Sequence, residues 1–532
     1  MPNPKPRPCD EAAIRATGTV AGCPQQNKRW VLAVTILAST ISYIDESVVN
    51  VALPTIEAEL KTSAAVVQWL VNAYMLSLTA LVLTGGAAGD QFGRRRIFVA
   101  GTALFAAASL WCGLSGDIAQ LIAARTLQGA GAALLIPCSL AIIGATFDES
   151  ERGAAIGTWA SFSALSAAIG PLLGGWIVDH VSWRWIFLIN PFIAVPAILI
   201  ALRHVPESRD DTAARGLDWR GALLAFLGLG ALVYGLIAAP ERGLGDTRVI
   251  AALAGGGALL AAFVFEESRS RVPMMPLALF RSRSFSGVNA LTLLLYAGLG
   301  GAMFFIPFLL IQVHGFSATL AGAAFLPFTA IMAVLSRWAG GLLDRFGARL
   351  PLIVGPVIAG AGLTLLALPG AGHSYLALLA PMVVLGIGMS ITVAPLTTSV
   401  INAVPERQAG VASGINNAVA SLASLLAIAI LGAVALGLHN STLERQAAAQ
   451  TLSPQARETV AGARGKFGAE LTTLQGEERK AAETVVRQSL GGSISLVMGL
   501  AAALAFAAAL CAALTLRPPR TRPQVVAKPA AV

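Results

Sequence analysis

The chain is a succession of long apolar runs broken by short polar loops, and this pattern limits the fold to one class. Runs of spanning length lie at about 30–54, 66–88, 97–115, 118–146, 153–178, 184–202, 219–239, 249–265, 286–311, 319–341, 351–369, 374–400, 409–438 and 490–516. A helix needs about 20 mostly apolar residues to cross a bilayer, and a helix satisfies its backbone polar groups without water. The pattern predicts an all-α polytopic membrane protein with 14 transmembrane helices. With 56% hydrophobic and 12% charged residues, a 532-residue chain lacks the polar surface of a soluble protein. Its net charge of +9 is spread over short loops, which fits a membrane surface and not nucleic acid.

The basic residues also predict orientation. With the N-terminus inside, Lys and Arg number 24 in the inner loops and tails and four in the short outer loops. Cytoplasmic loops carry that excess, so both termini are expected in the cytoplasm of a bacterial inner (plasma) membrane. Residues 1–28 read as a disordered basic tail, 29–203 as an N-terminal six-helix half and 204–285 as two inserted helices with linkers. Residues 286–516 then form a C-terminal six-helix half, and 517–532 a C-terminal tail. The loop 439–489 is long, with seven basic residues and six glutamates. Its composition predicts short amphipathic helices lying on the outer surface or capping the exit.

Charge inside the runs marks a working site. Asp45 and Glu46 fall in the first run, where a carboxylate costs roughly 2.5–3.5 kcal/mol and needs a cavity, a partner or a proton. Arg125 lies in the fourth run, eight residues from Asp117 at its outer end. Asp45 stands eight residues before Leu53 at the outer end of the first. At 1.5 Å per residue both are about 12 Å deep, so the two charges are expected at one level. Arg125 then favours the charged form of Asp45, while apolar surroundings favour the neutral acid; a purely structural ion pair is the alternative. Successive helical residues point about 100° apart, so Glu46 cannot share that partner. It is either a second cavity acid suited to cations or a protonated residue at a helix interface.

A motif recurs. Gly86-x-x-x-Asp90-x-x-Gly93 with Arg94, Arg95 and Arg96 returns as Gly340-x-x-x-Asp344-x-x-Gly347 with Arg349. Each copy follows the second helix of its half, and internal repeats of this kind mark transporters. Four further stretches accompany it: Asp45–Pro54, Arg125-Thr126-Leu127-Gln128-Gly129, Gly170-Pro171-Leu172-Leu173-Gly174-Gly175 and Trp183–Pro191. Together, in this order and from Trp30 to Leu516, they resemble the fourteen-helix drug:proton antiporter branch of the major facilitator superfamily.

The resemblance implies a proton-coupled secondary exporter of small amphipathic or cationic molecules, of the multidrug-efflux and antibiotic-resistance type, working by alternating access. It implies proton coupling at Asp45 and Arg125, with Glu46 a departure from the usual pattern. Gly86, Asp90, Gly93, Arg94 and Arg95 would form a cytoplasmic gate. There Gly86 and Gly89 would permit close helix approach, and Asp90 would bond Arg94 or a helix N-terminus of the other half. Topology-setting charge is the plainer reading. Gly170, Pro171, Gly174 and Gly175 form the antiporter motif where the halves meet. Tyr43, Gln128, Asn289 and Tyr296 are candidates for the substrate cavity, although polar residues in such runs commonly serve interhelical hydrogen bonds.

An export role for a cell-made lipid or metabolite, or a transporter-like sensor, remains the alternative. No GxxxxGK[ST] phosphate loop, HExxH or GxSxG is present. The expectation is therefore a non-enzyme driven by the proton gradient, with no cofactor and no metal. Its partners would be substrate, protons and the lipid bilayer, the chain a monomer, and a periplasmic adaptor is left open.

Overall fold

A computed structural model describes residues 25–209, 216–270, 272–368, 375–405, 408–449, 452–468 and 474–516. The expected tails, nearly all of 1–28 and all of 517–532, fall outside these residues, as does the side chain of Asp344. Among the described residues, fourteen helices are long and apolar enough to cross a membrane, matching the fourteen runs.

The first six are α1 (Gln25–Glu59), α2 (Ala64–Phe92), α3 (Arg94–Leu114), α4 (Ile118–Thr146), α5 (Glu149–His180) and α6 (Trp185–His204). Next come α7 (Trp219–Arg242) and α8 (Thr247–Arg269), which pack on each other, with α7 also against α2. The last group opens with α9 (Arg283–Phe308). One span is broken into α10 (Ala318–Ala323) and α11 (Leu326–Gly340), and the short α12 (Leu342–Phe346) leads to α13 (Arg349–Ala367) and α14 (Tyr375–Asn402). The chain closes with α15 (Ala409–Ala449), α16 (Pro454–Ala461) and α17 (Gly476–Thr515). The inserted α7 also touches α15, so the extra pair rests against the seam between the first and last groups.

Helix ends are set by local chemistry. The Asp117 carboxylate accepts the Gln120 N–H at 2.9 Å and starts α4, and Asp246 does the same for α8. Such caps satisfy amides that have no intrahelical partner. Gly93 and Gly347, the last glycines of the two repeated motifs, have φ of 110° and 69°, a region where only glycine is at ease. Both turns thus use a positive φ at the last glycine of the motif.

The Arg94 turn defines one end of the bundle. There Lys28 bonds Asp148 at 2.8 Å and Glu151 at 2.7 Å, tying the start of α1 to the α4–α5 turn. That bond holds the exposed Asp148 carboxyl below its ordinary range.

At the opposite end the two groups of helices meet closely. Asp179 of α5 accepts from the Ala318 N–H at 3.1 Å, and from the N–H and hydroxyl of Thr319. A Cβ placed on Gly432 of α15 would overlap Gln68 of α2.

The 439–489 segment corrects one expectation. It does not lie flat: α15 and α17 continue out of their apolar runs as a helical pair, joined through α16 around a small core of Leu443, Val460, Leu474 and Val485. The loop beyond α16 caps the bundle. Phe467 is fully buried against Phe305 and Phe308 of α9. Its N–H donates to the buried Glu57 carboxylate of α1 at 2.8 Å, and the Ala64 N–H donates to the Gly465 carbonyl at 2.9 Å. A segment of the last group thus closes over the first.

Candidate functional site: a buried acid held by five helices

Asp45 is 1% exposed midway along α1. Its Oδ2 takes the Arg125 Nη1 donor at 2.5 Å, so the two charges placed at equal depth by counting residues do meet. Oδ1 accepts from Gln128 Nε2 at 2.8 Å and from Asn190 Nδ2 at 3.1 Å. Gln128 also donates to Ser109 Oγ at 2.8 Å, and the Ser109 hydroxyl donates to the Phe105 carbonyl.

Arg125, likewise 1% exposed, is fixed from several sides. Its Nε donates to the Leu70 carbonyl at 3.1 Å and its Nη1 to Gln128 Oε1 at 2.6 Å. The guanidinium lies 4.4 Å from the Tyr74 ring centre. Helix α1 supplies the acid, α4 the cation and one amide, α2 a carbonyl and an aromatic face. Helix α3 supplies a hydroxyl and α6 the second amide.

A buried pair recovers its desolvation cost only when further hydrogen bonds support both ions, and here two amides serve the carboxylate while a carbonyl and an amide oxygen serve the guanidinium. The carboxylate keeps two neutral donors and the guanidinium two neutral acceptors. A proton can therefore be added to Asp45 without leaving Arg125 bare. The Asn190 Oδ1 and the Tyr74 hydroxyl make no hydrogen bond among the described residues.

Sequence reasoning missed Ser109 and Asn190. Asn190 sits within the Trp183–Pro191 stretch, where an amide in an apolar run was a usable signal. Ser109 carried none, because nothing distinguishes it from other helix-facing serines.

Glu46 lies near the pair without bonding to it. It is half-buried, close enough to Asp45, Arg125, Tyr43 and Tyr74 to feel their charge, and its carboxylate has no hydrogen bond or ion pair among the described residues. Tyr43 is half-buried one helical turn before Ser47 and meets Trp159 edge-on. Gln128 belongs to the Asp45 cage. Asn289 is drawn elsewhere: its Oδ1 accepts from Asn416, which also donates to Thr292, in a buried cluster of the last six helices. That is an interhelical bond. Tyr296 is half-buried on α9, one turn beyond Thr292.

The Arg94 turn keeps its bonds local. Asp90 Oδ1 accepts from Arg94 Nε at 2.9 Å. The Arg94 N–H donates to the Ser208 carbonyl, and the Arg95 N–H to Glu207 at 3.0 Å. Arg95 Nη1 reaches the Val205 carbonyl. All of these partners belong to the first six helices or the strand of chain after α6, so of the two expected partners for Asp90 the structure has Arg94. Close approach is also shifted by one residue. A Cβ on Gly85 would overlap the Ala133 carbonyl and one on Gly89 the Cys138 sulfur, whereas Gly86 has ordinary room beside Pro137. Glycine at 86 is thus not demanded by packing.

The Gly170–Gly175 motif divides its work. A Cβ on Gly170 would overlap Ser47, and one on Gly174 would press on Val48, both of α1. One on Gly175 would overlap the Ala318 carbonyl, and one on the facing Gly322 the Pro171 carbonyl. Helix α5 therefore meets α10 backbone to backbone, and no side chain can move to relieve a larger residue. Gly175→Val is expected to keep this end from closing. Overpacking costs about 1–3 kcal/mol, which lowers the closed population roughly tenfold and transport with it. Transport should be measured beside the thiol reactivity of a cysteine placed at Gln68, which should rise. Unchanged reactivity would mean the contact does not control closure.

This is a helical membrane bundle in which two groups of helices share one closed end and a buried, hydrogen-bonded ion pair lies in the first. The family model described as Major Facilitator Superfamily matches residues 35–428, and the chain belongs to that superfamily of transporters. It is 36% identical over 393 residues to the tetracenomycin C resistance and export protein of Streptomyces glaucescens, covering 73% of this chain and 72% of that one. It is 35% identical over 414 residues to the multidrug resistance protein Stp of Mycobacterium tuberculosis, covering 78% and 77%. The puromycin resistance protein pur8 of Streptomyces alboniger is 35% identical, covering 80% and 86%. Among solved structures, a bacterial homolog of the human lysosomal transporter Spinster superposes with a TM-score of 0.63 over 93% of this chain and all of the other, at 18% identity. That likeness is one of fold.

Proposed function

We propose that the protein is a proton-driven exporter of small amphipathic or cationic molecules, with the Arg94 end facing the cytoplasm and Asp45 as the proton carrier. The observation that carries this reading is the Asp45–Arg125 pair. It is buried, hydrogen-bonded on both sides and built from five helices, so a proton arriving there alters bonds to α4 and α6 directly and those of α2 and α3 through Arg125 and Gln128. An acid in an apolar bundle is retained at a cost, and ion or proton pathways are where such residues occur. The relatives named for antibiotic resistance and export support the outward direction. The closed Phe467 end would be the extracytoplasmic one. Binding of substrate from the cytoplasm would displace the proton, and reprotonation from outside would follow release.

The direct test is expression in bacteria lacking their own efflux pumps. Accumulation of a fluorescent cation should fall, and an uncoupler should restore it. Efflux that continues when the proton gradient is collapsed would exclude the proposal. Relatives named as a tetracenomycin C export protein and a probable actinorhodin transporter support a second reading, export of a cell-made metabolite. The same cells can be challenged with both classes.

Glu46 supplies the preference for cations. An unpaired carboxylate in a partly desolvated interior attracts positive charge far more strongly than in water. Glu46→Gln is expected to reduce efflux of monovalent cations about tenfold while neutral substrates change less than twofold. Equal loss of both classes, measured as minimum inhibitory concentrations at matched expression, would make Glu46 an interface residue.

A further inference from the structure

A cavity of about 500 Å³ opens at the Arg94 end, apart from the Asp45 site. It lies between the start of α9, the start of α13 and the last turn of α17, and its polar lining is Ser282, Arg283, Ser284, Arg349 and Thr515. Two guanidiniums and no carboxylate are among its lining residues. Arg349 is fastened by one arm, its Nη2 donating to the Ala513 carbonyl at 2.9 Å. Its Nε is buried and makes no hydrogen bond. Arg283 is exposed and forms no ion pair among the described residues. Ser282 caps α9 by accepting the Phe285 N–H, which leaves the first amides of that helix turned outward beside Arg283.

Paired arginines, a serine hydroxyl and a helix N-terminus form a donor set that matches a phosphate group with several acceptor oxygens. A soluble phosphate and a lipid headgroup share that chemistry, and the walls favour the lipid. From the cavity toward the middle of the bundle, α13 presents exposed Leu350, Val354 and Val357, and α17 presents exposed Leu514 and Leu510. Leu514 is 72% exposed immediately beside the cavity. The charged pocket therefore runs into apolar surface of the kind that faces acyl chains.

We propose that this cavity is a binding site for the phosphate headgroup of an anionic glycerophospholipid, whose chains lie along α13 and α17. The bound lipid would join three helices of the last group at the membrane surface.

The test is the melting temperature of the purified full-length protein in a neutral detergent, titrated with phosphatidylglycerol, phosphatidylcholine or inorganic phosphate. Phosphatidylglycerol should stabilise the wild type, and neither of the others should do so at equal concentration. Arg283→Gln removes an exposed, unpaired side chain and should fold normally. It should need about fivefold more phosphatidylglycerol for the same shift, and Arg283→Gln/Arg349→Gln about 25-fold more, as expected for one surface cation each near anionic lipid. An unchanged titration in Arg283→Gln would overturn the proposal. So would equal stabilisation by phosphatidylcholine, or full stabilisation by inorganic phosphate alone, which would mark a free-anion site.

Discussion

Asp45→Asn should fold, reach the membrane and export nothing against a gradient. Asparagine has the shape of aspartate, and its side-chain oxygen can still accept from Gln128 or Asn190, which approach Asp45 Oδ1 at 2.8 and 3.1 Å. Arg125 loses its counter-charge but keeps the Leu70 carbonyl and the Gln128 oxygen, so it is not left without acceptors. The variant therefore resembles the protonated protein, fixed in that state. It has no proton to give up when substrate arrives and none to take up afterwards. In efflux-deficient cells resistance should fall to the vector level, a loss of at least about 100-fold in export rate, equivalent to about 2.7 kcal/mol or more. Asp45→Glu adds one methylene to a cage with no spare room, and should retain no more than about a tenth of the activity. Full resistance from Asp45→Asn at wild-type expression would remove Asp45 from the coupling step.

Arg125→Ala should do the greater damage to stability. Removing one partner of a buried ion pair typically costs about 3–5 kcal/mol, because the other charge stays behind in a dry site. Here the loss also includes the contact with Tyr74, a cation–π interaction of up to about 2 kcal/mol when desolvated. Arg125→Lys should fall between, since one ammonium cannot reach Asp45, Gln128 and the Leu70 carbonyl in the fork geometry that a guanidinium provides. The informative variant is the double one. Asp45→Asn/Arg125→Gln removes both charges, and should recover most of the stability lost in Arg125→Ala while remaining inactive. Thermal unfolding in detergent and efflux assays on the same preparations separate these effects. If Arg125→Ala unfolds within about 0.5 kcal/mol of wild type, the pair is not a closed unit. Such a small change is typical of surface sites.

Much of this was legible from the residues alone, for identifiable reasons. The fourteen spans follow from hydropathy because a bilayer admits few backbone solutions. The meeting of Asp45 and Arg125 followed from counting residues along two helices, since helical rise converts sequence separation into depth. What escaped was tertiary. Asn190 reaches Asp45, and Ser109 reaches Gln128 and Asn190, only because α3 and α6 pack beside α1 and α4, and no spacing within either helix reports that. Asn289, a candidate for the cavity or for an interhelical bond by sequence, bonds Asn416 across 127 positions, a partner that no local pattern names. Gly85 rather than Gly86 meets the neighbouring backbone, because the rotation of α2 about its axis is set by packing. The extension of α15 to Ala449 and of α17 from Gly476 was hidden because polar residues follow the apolar runs without breaking the helix. Phe467 carried no signal of its role, because its partners Glu57, Phe305 and Phe308 come from distant helices.

The most direct measurement is proton release by the purified protein in weakly buffered detergent solution when an exported cation is added. Wild type should release protons in a saturable amount that follows substrate occupancy, and Asp45→Asn should bind the cation and release none. Equal release from Asp45→Asn, or binding to wild type with no release at any pH between 5 and 8, would contradict proton exchange at Asp45.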